Sequence, residues 1–316
     1  QQAPALLNVG VVQQRLGYYA RASWYYERAL NLQRASGKMW GYLGAAFYEW
    51  TIELSNNDTK NKNDKNHMNA LNELRKRAIE SMDHSIHKGY SPPATLHSRG
   101  SLALDVKDSE TAIWCFRRAL ELNAVAKSNS PDVPHADLVE EALTLNQLGN
   151  VYNSVHRYTD AIEVMEQGLK LNPKSISLRA NLGSSYRAVS ELDKARVVLR
   201  EAIAIEENEN GEPSIAILNN LALVELDDGK FDTAEFLLLR AKEILLSSAN
   251  NSETSTSNRL IQESTHNTIE NDTQLKSNVG SESESVSVSV SGTNGDSLVD
   301  VLDLNLERVK ISKNKT

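Results

Sequence analysis

At 316 residues with a formal charge of −8 and a pI near 5.5, the chain lacks the basic excess that draws proteins to nucleic acid irrespective of sequence. Its single cysteine, Cys115, excludes an intrachain disulfide or a thiolate metal cluster, and no apolar run reaches the roughly 18 residues of a membrane-spanning helix. No signal peptide is recognisable, so the expected location is the cytoplasm or the nucleus.

Two columns of small residues run along residues 3–246. One reads Gly10, Gly44, Gly100, Gly149, Gly183, Ala222; the other reads Ala22, Ala78, Ala112, Ala161, Ala195, Ala234. Gly149 and Gly183 lie 34 residues apart, as do Tyr152 and Tyr186, and Ala161 and Ala195. A fixed period of this length marks a repeat architecture. Each unit is predicted to be two antiparallel helices, with a small residue on each so that the backbones can approach where they cross. Larger residues surround them: Val9, Leu43, Leu148, Leu182 and Leu221 precede the first column, and Tyr26, Met82, Phe116, Met165, Leu199 and Leu238 follow the second by one helical turn.

In chain order the first unit spans 3–36, with Leu16-Gly17 placed to end its first helix. The second, 37–91, carries 22 extra residues that include the polar stretch Asn56–Asn66, expected to be a solvated loop. The third, 93–126, has Arg99 where the other units place an aliphatic residue. About 15 inserted residues near Lys127–Asp137 precede the fourth unit, 142–175, which closes on Lys170-Leu-Asn-Pro173. The fifth, 176–209, and the sixth, 215–246, are separated by a short insertion around Glu209–Pro213.

These residues resemble the tetratricopeptide repeat, whose first helix carries Trp-x-x-Leu-Gly-x-x-Tyr and whose second carries Ala-x-x-x-aromatic-x-x-Ala before a closing Pro. Trp40-Gly-Tyr-Leu-Gly44 followed by Phe47 matches the first part, and Ala161–Pro173 the second, apart from Gly168. The resemblance implies an all-α, right-handed superhelical solenoid of about six helix pairs, with the first helices lining a concave groove. It further implies a protein-binding scaffold rather than an enzyme. A regulatory subunit of an enzyme complex is the alternative, and RNA binding is disfavoured by the charge.

On such a groove, the position two before the first column reads Asn8, Tyr42, Ser98, Gln147, Asn181, Asn220, with Asn146, Asn150 and Asn219 nearby. A carboxamide both donates and accepts, so a row of them can pair with the backbone of an extended peptide whatever its sequence. The row resembles the asparagine ladder of O-linked GlcNAc transferases. Co-chaperones that clamp a terminal carboxylate also use asparagines, but their basic positions fall here on Asn146, Ala216 and Asn220, which removes the charge-assisted bonds.

No cofactor or metal site is expected. His84 and His87 lack a third ligand, Cys115 lacks a partner histidine, and Trp24-Tyr25-Tyr26 is expected to pack rather than form a cage. Residues 247–316 contain no Trp, Tyr, Phe, Met or Pro and are expected to be a disordered low-complexity tail. Within it, Ser281–Ser285 is an acidic serine cluster, and Leu298–Ile311 an apolar island. Val299–Asp303 resembles a SUMO-interacting motif, and Leu302–Leu306 a Leu-x-Leu-x-Leu repression motif. Leu298–Leu306 is thus either a short partner-binding motif or a segment that docks on the last repeat.

Overall fold

The computed structural model describes residues 2–33, 36–57, 65–129, 135–247 and 298–314. It divides into two compact bodies, Gln1–Leu171 and Asn172–Thr316. The first body contains α1 (Gln2–Arg15), α2 (Tyr19–Leu32), α3 (Gly37–Asn57), α4 (Lys65–His87), α5 (Pro93–Asp105), α6 (Ser109–Asn129), α7 (His135–Ser154) and α8 (Tyr158–Leu171). The second contains α9 (Ile176–Ala188), α10 (Leu192–Asn210), α11 (Ile215–Asp227), α12 (231–247) and α13 (Leu298–Lys313). The described residues contain no strand.

The first helix packs on the second in the pairs α1–α2, α3–α4, α5–α6, α7–α8 and α9–α10, and successive first helices touch: α1 on α3, α3 on α5, α5 on α7, and α9 on α11. The small-residue columns make these approaches possible. Every alanine of the second column is fully buried. Each glycine of the first column faces the large residue one turn beyond that alanine: Gly10 meets Tyr26, Gly44 Met82, Gly100 Phe116, Gly149 Met165 and Gly183 Leu199. A side chain on both partners would hold the helices apart and forfeit the dispersion contacts that hold each pair together.

The first helices end in a recurring left-handed turn seven residues past the glycine column. Gly17 and Gly229 occupy it with φ of +77° and +75°; Lys107, His156 and Ser190 occupy it with φ of 61°, 60° and 63°. In each case a backbone N–H one residue on closes the helix, as Glu191 N does to Tyr186 O at 2.9 Å. A Cβ in this conformation costs about 1 kcal/mol relative to glycine. Ser190→Gly is therefore expected to stabilise the second body by about 0.5–1 kcal/mol, read as a higher urea midpoint. An unchanged or lower midpoint would show that the chain entropy added to the unfolded state outweighs the relieved strain.

The insertions do not go where the sequence pointed. Much of the second unit's extra length extends α3 to 21 residues and α4 to 23, against 14 in α1 and α2. Trp50 and Leu54 keep packing against the core that contains Leu74, so burial continues the helix past the repeat's usual end. The ends of the expected solvated loop are helical, Asn56 and Asn57 in α3 and Lys65 and Asn66 in α4, and residues 58–64 lie outside the described residues. Likewise α6 and α7 absorb much of the insertion near 127–137, of which 130–134 is not described. Arg99 does not prevent α5 from forming. Its buried guanidinium reaches Asp83 on α4 at 2.7 Å, and Asp83 leans out to solvent.

The apolar island of the tail is helical rather than disordered. It forms α13, with Leu302, Leu306 and Val309 buried at helical spacing. Residues 248–297, including the serine cluster, lie outside the described residues.

Candidate functional site

The amide-rich positions fall on first helices, but they divide into two kinds. On α7, Gln147 and Asn150 are half-buried, and Asn150 Oδ1 is enclosed with no hydrogen-bond donor in reach. One helical turn earlier, Asn146 is buried. In the second body Asn181 on α9 is buried and Asn220 on α11 half-buried. Asn8 is exposed, Ser98 is half-buried, and Tyr42 stacks on Tyr26 with centroids 5.7 Å apart.

The second kind stands three residues before the glycine column and faces the next first helix. His97 on α5 is one: its Nδ1 lies 3.0 Å from Thr144 Oγ1 on α7, with the ring against Phe116. Asn219 on α11 is another, and its Oδ1 accepts a buried bond of 2.8 Å from Asn305 Nδ2 on α13. Asn219 thus serves helix packing rather than an open face. Asn146 shares this repeat position.

Burial holds His97 neutral, with its pKa lowered to about 4. The unfolded chain, with a histidine pKa near 6.5, binds a proton that the folded state refuses. Stability is therefore complete above about pH 6.5 and falls as the pH drops toward 4, by as much as about 3 kcal/mol. Comparing urea midpoints of the wild type and His97→Gln from pH 7.5 to 4.5 isolates this contribution. Parallel curves would mean that His97 protonates in place.

In the second body a buried ion cluster joins α10 to α11. Glu225 is fully buried, and Arg196 Nε reaches its two carboxylate oxygens at 3.0 and 3.1 Å. Arg196 also pairs with Asp193 at 2.6 Å and with Asp228, while Arg200 adds a bond to Glu225 at 3.3 Å. Glu225 stands three residues after Ala222, where Phe47, Tyr152 and Tyr186 stand in other units, and Arg196 stands one after Ala195, in the place of Ile79, Ile113 and Ile162, so the pair is a local break in the repeat.

Two stretches of the chain, residues 3–36 and 142–175, match the family model of the tetratricopeptide repeat. The chain carries tetratricopeptide repeats. The matched stretches coincide with the first and fourth units. No curated protein matches the chain by sequence. Among solved structures, the tetratricopeptide array is similar to that titled "Functional Characterization of Pseudomonas Aeruginosa pilF", with a TM-score of 0.52 and 16% identity over 81% of this chain and 97% of that one. It is also similar to PilW, titled a widely conserved type IV pilus biogenesis factor, with a TM-score of 0.52 and 12% identity over 77% and 93% of the two chains. The MamA protein aligns with a TM-score of 0.50 and 19% identity over 66% and 93%. At these identities the likeness is one of fold.

The tetratricopeptide units also form clefts that the small-residue columns do not reveal. One of about 470 Å³ is lined by Trp40, Leu43, Phe47, Arg77 and His84, with His84 stacked on Trp40 at 4.7 Å. A second of about 760 Å³ uses the equivalent repeat positions Leu145, Leu148 and Tyr152. Their signal in the sequence is the residue four before, one before and three after each glycine. Cys115 is buried, and burial pushes its thiol up to about 11, which leaves it un-ionised and unreactive near neutrality. Trp24 is half exposed beneath Arg28, while Tyr26 is buried and donates to Gln14 at 2.7 Å, so the aromatic run forms no cage. Among the described residues no group of three or more His, Cys, Asp or Glu is placed to hold a metal, and no helix is long and apolar enough to cross a membrane.

Proposed function

We propose that this chain is a protein-interaction scaffold that holds extended peptide segments on its first-helix faces and catalyses no reaction. The observation that carries the reading is Asn150: an enclosed carboxamide oxygen without a donor, next to half-buried Gln147 on the same helix. An acceptor left unpaired in this way costs about 1–3 kcal/mol, which favours a turn of the half-buried Asn150 side chain toward the N–H of a bound peptide. The second body has carboxamides of its own on first helices, Asn181 on α9 and Asn220 on α11. Amides without flanking cations favour backbone recognition over capture of a terminal carboxylate.

The test is a selection from a displayed random-peptide library against the full chain, followed by titration of the selected peptides. Replacing Asn150 with Ala is expected to weaken them about 10-fold, as the loss of one hydrogen bond to a buried group does. Replacing Asn150, Asn181 and Asn220 together with Ala should abolish binding while leaving the helical circular dichroism intact. Peptides that bind the triple variant as tightly as the wild type would remove the groove reading.

A further inference from the structure

The tetratricopeptide pattern ends with α12, yet a thirteenth helix follows the rule that governs the first helices. α13 packs on α11 as α11 packs on α9, and its Asn305 meets Asn219 as Thr144 on α7 meets His97 on α5, three units earlier in the chain. α13 therefore occupies the place of a seventh first helix without carrying that helix's sequence. It also differs in how it is attached. Residues 211–214 join α10 to α11 and residues 172–175 join α8 to α9, whereas residues 248–297 separate α12 from α13. Release of α13 breaks no continuous helix pair.

The contact itself is that of a ligand on a groove. Its buried centre consists of Leu302, Leu306 and Val309, with the Asn219–Asn305 amide pair buried beside them. A buried amide pair adds little attraction but penalises every helix that fails to present a carboxamide at that position, so it selects register and identity. The rim is ionic: Lys242 on α12 pairs with Asp303, and Lys313 pairs with Asp232 and Glu235 on α12. Leu304 and Ile311 on the outer face stay exposed.

We propose that α13 is an internal ligand. The face formed by α11 and α12 is a binding site for an amphipathic helix, filled in this chain by Leu298–Lys313 and available to a partner helix of the same chemistry when α13 leaves. That chemistry is specific: aliphatic residues at i, i+4 and i+7, a carboxamide at i+3, an acid facing Lys242 and a terminal ammonium facing Asp232 and Glu235. The Leu-x-Leu-x-Leu and SUMO-type motifs of Leu298–Leu306 are unavailable in the docked state, because Leu302 and Leu306 are spent on α13's buried face. The proposal rests on the groove reading in one respect only: Asn219 adjoins Asn220, so α13 also closes that end of the proposed peptide-binding face.

The test uses a fluorescent synthetic peptide of residues 298–314 and the full chain. The variant Leu302→Asp/Val309→Asp should release α13 and bind the added peptide at least 10-fold more tightly than the wild type, whose site is filled. Adding Asn219→Ala to that variant should lower the affinity again by about 10-fold. A folded double variant that ignores the peptide would overturn the proposal, since α13 would then be an inseparable part of the body. Should the substitutions unfold the second body, hydrogen exchange on the wild type decides. Amides of α13 exchanging at least 100-fold faster than those of α11 support an internal ligand, and equal protection overturns it. A wild-type dimer in sedimentation that has exchanged its α13 helices would assign the site to a second copy and overturn the intramolecular contact. No library-selected peptide enters these assays, so their failure is distinct from failure of the groove reading.

Discussion

Replacing Arg196 with methionine is expected to destabilise the second body by about 3 kcal/mol, a shift of roughly 1–2 M in urea midpoint. The loss comes from the carboxylate left behind rather than from the arginine removed. Glu225 is fully buried, and taking away its main partner leaves a charge in a medium that solvates it poorly. Arg200 and Lys230 remain within 3.3 and 3.9 Å, which places the expected loss at the lower end of the range for a broken buried pair. The double variant Arg196→Met/Glu225→Leu carries no stranded charge and should return to within about 1 kcal/mol of the wild type. A single variant that loses less than 1 kcal/mol would show that the two lysine and arginine neighbours suffice.

Two glycine-to-alanine substitutions at the same repeat position should differ in effect. Alanine gains about 1 kcal/mol over glycine in a helix interior, so each change begins with a favourable contribution. At Gly44 a Cβ would sit 2.6 Å from Met82 Cγ and 3.1 Å from Met82 N, with the Ala78 carbonyl at 3.3 Å. Two of these atoms belong to the α4 backbone, so relief requires that helix to move, and overpacking of this kind costs about 3 kcal/mol. The net expectation for Gly44→Ala is a loss of about 2 kcal/mol. At Gly149 the close atoms are Cε, Cγ and Sδ of Met165, an unbranched side chain that can turn aside. Gly149→Ala should therefore be within about 1 kcal/mol of neutral. Thermal denaturation of both variants checks the order, and equal losses would mean that the helix pairs yield as rigid units.

The contrast between these sites bears on what the sequence made legible. The helix pairs could be read because close approach forces the same small residue at the same phase in every unit, and Gly10 through Ala234 record it. Insertions were legible as lengths but not as destinations. The polar run at 56–66 reads as a loop, yet Leu54 on one side and Leu71 and Leu74 on the other continue helical burial and draw its ends into α3 and α4. The island at 298–311 was legible as apolar, with docking on the last repeat as one of its two readings, but the stripe that buries, Leu302, Leu306 and Val309, is set by packing on α11 and α12.

Of the candidate site, the amide positions were legible by register alone. Which amides serve packing was not, because the partner of Asn219 lies 86 residues away in a segment with no repeat phase. The Arg196–Glu225 cluster was hidden because its members, 29 residues apart, each depart from the residue that other units carry at that position, and a departure does not name its partner.

The lengthened α3–α4 hairpin has a consequence for the order in which the first body assembles. Its helices run roughly 31 and 34 Å, about half again as long as those of the first unit. Arrays of this kind gain stability unit by unit from neighbours, and contacts between residues close in the chain form fastest. The hairpin with the most such contacts is the natural nucleus, from which α2 and α5 are recruited on either side. Residues that interrupt the repeat as a pattern thus become the place where its folding begins.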